Sequence, residues 1–97
     1  MGFYKTVVIP FDSDQLASLL PKYYAMDFIG LKHGTVEFNR LALDQFLAWM
    51  KRGKHTQVNM EMLTEFIQFL NEKHTTLLAS HRWRRVKRFF GWLERTG

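Results

Sequence analysis

Apolar positions recur along this chain at helical spacing, in blocks separated by capping and breaking residues. The first block opens at Asp12, a residue suited to an N-cap, with Gln15 three positions on and Phe11 and Leu16 at the staple positions. Pro21 lies inside this block and predicts a break or kink, with a second piece from about Lys22 to Ile29. Gly30 and Gly34 then bracket a tight connection. The second block runs from about Thr35 to Arg52. Val36, Leu43, Phe46, Leu47 and Met50 fall on one arc, while Phe38, Leu41 and Trp49 lie on the other side, so two packed neighbours are expected. Gly53 stands at the C′ position of that helix.

The third block is announced by Asn59 as N-cap, with Val58 and Leu63 as a staple pair. Its apolar face is Leu63, Phe66, Ile67 and Leu70, and it ends near Asn71–His74. The fourth begins at Thr75 or Thr76. At 100° per residue, Ala79, Trp83, Val86, Phe89, Phe90 and Leu93 share an arc reaching about 60° either side of Val86. Leu77, His81, Arg84, Arg88, Gly91 and Arg95 occupy the opposite side, flanked by Arg85 and Lys87. Trp92 lies about 120° off the apolar arc, where it closes the core edge, meets another domain, or stacks under a guanidinium. Residues 1–11 read differently: Thr6, Val7, Val8 and Ile9 favour extended backbone, and Pro10 bars a helix. The pattern therefore predicts an all-α domain over residues 12–97, a compact bundle of four or five helices preceded by an extended N-terminal arm.

Composition agrees with one folded domain. The chain has 97 residues, 46% hydrophobic and 15% aromatic, enough for one modest core and too much for a disordered chain. There is no cysteine, which excludes a disulfide framework and suits a reducing interior, so the cytoplasm is the expected location. The opening MGFYKTVVIPFDSD lacks the n- and h-regions of a signal peptide, and no apolar run approaches a membrane span.

Charge changes the picture more. The net charge is +5, but seven of the fourteen Lys+Arg and only one of the nine acids lie between Lys73 and Gly97. The basic balance is thus a property of the fourth helix. Its basic residues are mostly Arg, whose planar fork suits phosphate and guanine, and Glu, which a salt-bridged surface helix would carry, is nearly absent among them. A basic helix with an aromatic back fits a polyanion, and nucleic acid is the expected partner. A membrane surface is disfavoured because the apolar side is needed by the core.

Candidate chemistry is sparse. His33, His55, His74 and His81 are scattered without metal-ligand spacing and read as surface or capping histidines. Asp44, Glu61 and Glu65 read as solvated charges, and no phosphate loop, GxSxG or HExxH is present. The chain reads as a binding module without a cofactor.

Three segments, in order, resemble the N-terminal core-binding domain of tyrosine recombinases, the phage integrases and chromosome-dimer resolving enzymes. They are TVEFNRLALDQFLAWMKRG, VNMEMLTEFIQFL and SHRWRRVKRFFGWLERTG, and the likeness covers roughly two-thirds of the chain, from Thr35 to Gly97. The chain departs from the family at Asn59, which replaces a Thr or Ser cap, at Asn39, where Tyr is common, and at Leu78, which moves the last cap to Thr75 or Thr76. The resemblance implies a SAM-like orthogonal bundle with two crossed helices resting on double-stranded DNA, at a recombination core site and beside other recombinase protomers.

It further implies DNA contacts at Lys32, His33, Thr35 and Phe38 before and within the first matched helix. Leu77, Ser80, His81 and Arg84 would enter the major groove, and Arg85, Lys87 and Arg88 would meet phosphates. A catalytic domain is expected after residue 97 in the parent protein, a DNA strand transferase of bacterial or phage origin, so this portion alone should not cut DNA. The competing expectation is a helical protein-interaction module that sets its basic face on an acidic partner.

Overall fold

The computed structural model describes residues 8–27 and 33–96, which form four helices. They are α1 (Ser13–Asp27), α2 (His33–Arg52), α3 (Met60–Lys73) and α4 (Thr76–Thr96). The all-α expectation holds. Each of three N-termini is set by the cap legible in the sequence. Asp12 and Gln15 form a reciprocal capping box at 2.8 and 2.9 Å. The Asn59 side chain accepts from the Met62 backbone N–H at 2.9 Å, and Thr75 Oγ1 accepts from Leu78 at 3.3 Å.

Pro21 does not end α1, which continues through it to Asp27. The missing N–H forfeits one intrahelical bond, but Leu16, Leu20 and Tyr23 are buried on both sides of it. Packing therefore holds the two halves in one element. Most of the connection expected between Gly30 and Gly34 lies outside the described residues, and Gly34 itself belongs to the first turn of α2.

The end of α2 also differs from expectation. The left-handed residue is Lys54, with φ 56°, and not Gly53. Lys54 N–H donates to Lys51 C=O at 3.0 Å and His55 N–H to Met50 C=O at 3.1 Å, the pair of bonds that defines a Schellman motif with Lys54 at C′. Gly53 serves another purpose: a Cβ there would stand 2.7 Å from the His55 ring. Its absence lets that imidazole lie against Trp49, with centroids 4.9 Å apart and planes at 22°. Lys54→Gly is expected to stabilise the domain by about 1 kcal/mol, because a Cβ is disfavoured at positive φ. Chemical denaturation would check it, and an unchanged midpoint would mean that the turn relaxes without strain.

The arm is tied down where it is described. Ile9 exchanges both backbone bonds with Val58, at 2.9 and 2.8 Å, in an isolated antiparallel bridge. Both side chains are buried, so the residue before the α3 cap also anchors the N-terminal segment. Residues 1–7 lie outside the described residues.

Helix α2 packs on α1 and α4, and α4 packs on α3. Phe46 sits at the junction of three helices, edge-on to Phe66 of α3 and Phe90 of α4 at 4.9 and 5.5 Å. A second aromatic group forms where α1 meets α4, with Tyr23 placed 5.0 Å from Phe89 and 5.2 Å from Trp92. Trp92 is thereby buried, which decides among the readings left open for it. The buried arc of α4 widens because α1 covers a side that the wheel left exposed. Trp83, placed in the core by the same wheel, is only partly covered and lines an α3–α4 groove with Ile67, Leu70 and Ser80. Leu41, expected to pack on a second neighbour of α2, is 50% exposed.

Candidate nucleic-acid interface

The polar side of α4 follows from its apolar one. Ala79, Val86, Phe89, Phe90, Trp92 and Leu93 are buried, so the residues between them must face outward. Leu77, Arg84 and Arg88 are exposed, and Ser80, His81 and Lys87 are half-buried. Leu77, His81, Arg84 and Arg88 follow one another at spacings of four, three and four, which makes a single stripe. At 1.5 Å per residue the stripe is about 16 Å long. That is comparable to the roughly 12 Å width of a DNA major groove.

Arg82, Arg84, Arg85 and Lys87 make no ion pair among the described residues. The ion pairs that are described lie elsewhere: Arg40 with Glu37 at 3.4 Å, and Lys51 with Asp14 at 3.7 Å. Both are solvent-exposed and contribute little to stability. The α4 cations therefore keep a concentrated positive field on one side of the molecule.

Helix α2 reaches this field through Phe38. Its half-buried ring lies 5.8 Å from the Arg82 guanidinium carbon and 5.4 Å from that of Arg85. The structure thus assembles Phe38 with Arg85, both expected site residues, but it places Phe38 beneath the cations. Thr35, one turn earlier, is exposed, and its carbonyl accepts from Asn39 Nδ2 at 2.8 Å. His33 contributes the first backbone position of α2. Its side chain, like all of Lys32, lies outside the described residues.

Arg82 was not among the expected contacts, although it opens the Arg-rich run. It turns toward α2 and donates from Nη1 to Gln45 Oε1 at 2.8 Å. The other end of that amide meets His74 Nε2 at 2.9 Å. Because Oε1 accepts from Arg82, Nε2 of Gln45 must be the donor to His74. The imidazole is then neutral, with its proton on Nδ1. Desolvation, together with Arg82 and then Lys73, lowers the His74 pKa from its ordinary value. His74 also caps α3, its backbone N–H donating to Leu70 C=O at 2.9 Å. No sequence signal marks this three-helix polar link, since its members are 29 and 37 residues apart.

The link has a pH consequence. A depressed folded-state pKa means that the unfolded chain binds the His74 proton more readily, so stability rises with pH between the folded value and about 6.5. The contribution is complete above about 6.5 and is lost as pH falls through the folded pKa. His74→Gln is expected to flatten the decline in stability on the acid side of neutrality relative to the parent. Urea unfolding at a series of pH values would check this, and parallel curves would show that His74 does not carry the effect.

Among the described residues no group of three or more His, Asp or Glu side chains could hold a metal ion. None of the described helices is long and apolar enough to cross a membrane. No family model, curated protein or solved structure matches the chain.

Proposed function

We propose that this domain binds double-stranded DNA through the outward side of α4, as the core-binding domain of a tyrosine recombinase would. The carrying observation is the α4 stripe itself. Arg84 in the stripe and Lys87 beside it lack carboxylate partners among the described residues, and the helix's apolar back is consumed by the core. Arg84 and His81 stand where base edges would be read, and Lys87 and Arg88 where phosphates would be met. Leu77 and Ser80 lie at the leading end, and the Leu77 side chain suits a thymine methyl group. Thr35 supports the same face from α2. Strand transfer would belong to a catalytic domain elsewhere in the parent protein.

The test is duplex binding by the domain alone. Affinity in roughly the micromolar range, falling steeply with salt, is the expected result. One observation favours a second reading: Leu77 is 69% exposed at the head of the stripe, an apolar contact that an acidic protein partner could also use. Saturable binding to such a partner, with no duplex binding at about 50 mM salt, would favour that reading and sink the first.

A further inference from the structure

We infer that Arg82 and Arg85 act together beside the Phe38 ring as a clamp for one phosphate group. The inference deepens the DNA reading, on which it rests only for the source of that phosphate.

Arg82 and Arg85 are three residues apart on α4, hence neighbours on its surface. Both guanidinium groups lie near one aromatic ring, at 5.8 and 5.4 Å. The inner nitrogen of each, Nε, is buried and has no hydrogen-bond partner. The ring attracts the cations without supplying an acceptor, and Gln45 takes only one Nη1 bond, so the outer Nη–H groups remain for a ligand oxygen. Neither cation has a carboxylate partner among the described residues: Glu37, adjacent to Phe38 in the sequence, is taken by Arg40 at 3.4 Å. Gln45 is a positioning residue, because its bond to Arg82 Nη1 keeps that side chain from swinging into solvent and commits only one of its nitrogens.

Two like charges held near one ring repel each other, and an anion between them removes that cost. The anion that suits two guanidinium forks is a tetrahedral oxyanion, a phosphate. A carboxylate partner from the protein would fill the same role, but none is present among the described residues.

The experiment follows the Nε–H NMR resonances of Arg82 and Arg85, with Arg84 as the exposed control. The protein is titrated with inorganic phosphate against chloride at matched ionic strength, and separately with a DNA duplex. Arg82 and Arg85 are expected to shift in parallel with phosphate, and chloride to leave them in place. Phe38→Leu, which keeps the charge, is expected to weaken phosphate binding about tenfold, roughly the loss of one charge-assisted contact. Phe38→Tyr should restore it. With duplex, Arg82→Gln and Arg85→Gln should each lower the slope of log affinity against log salt by about 0.9, and the double variant by no more than about 0.9.

A double variant that lowers the slope by about 1.8 would mean two independent phosphates and overturn the clamp. So would resonances silent to both ligands. If Arg84 and Arg88 prove necessary for duplex binding while Arg82 and Arg85 stay silent, the clamp falls and the DNA reading stands. If duplex does not bind but phosphate moves both resonances together, the clamp stands with free phosphate as its ligand, and the DNA reading falls.

Discussion

Phe46→Ala is expected to destabilise the domain by about 3–5 kcal/mol, the usual result of removing a fully buried aromatic ring. Phe46 has no exposed surface and meets α3 through Phe66 and α4 through Phe90 in edge-to-face contacts. Truncation would remove both contacts and leave a cavity where α2, α3 and α4 meet. Domains of this size hold about 5–15 kcal/mol in total, so the variant would have little stability left. A fall of about 15–30 °C in Tm, read by circular dichroism, is the corresponding shift. Leu41→Ala on the same helix provides the contrast. Leu41 is half exposed, and its truncation should change stability by no more than about 0.5 kcal/mol. Equal losses from the two substitutions would mean that the core is not centred on the α2–α3–α4 junction.

Arg84→Ala with Arg88→Ala carries the largest expected effect on binding. Both side chains are exposed on the side of α4 opposite its buried residues, so the double variant should fold with an unchanged spectrum and a Tm near that of the parent. Each loss is expected to weaken duplex binding about tenfold, for about a hundredfold together. The two should differ in kind. Arg88→Ala should act uniformly across sequences and lower the salt slope by about 0.9, as a phosphate contact does. Arg84→Ala should relax discrimination at one base pair, worth about 1–3 kcal/mol if the contact is bidentate. Fluorescence anisotropy at several salt concentrations separates these outcomes. A double variant that binds as tightly as the parent at low salt would move the interface off α4.

The stripe from Leu77 to Arg88 was legible from periodicity because its residues share one helix and one side. The clamp was not, because it depends on where α2 crosses α4. Phe38 was expected as a direct DNA contact, yet it lies against Arg82 and Arg85. The role of Arg82 has no signature in the sequence, because no spacing rule links it to Gln45.

The same division runs through the fold. Interactions closed within about four residues were determined by the sequence itself: the capping box at Asp12, the Asn59 and Thr75 caps, and the apolar stripes of α2, α3 and α4. Tertiary structure decided the rest. Trp92 is buried and Trp83 only partly covered because α1 lies over one side of α4 and not the other. α1 runs through Pro21 because its buried residues flank the proline. Lys54, not Gly53, takes the left-handed turn, since the space beside Gly53 is needed by the His55 ring on Trp49. Helical period tells which residues share a side, but only the neighbour packed there determines whether that side is core or binding surface.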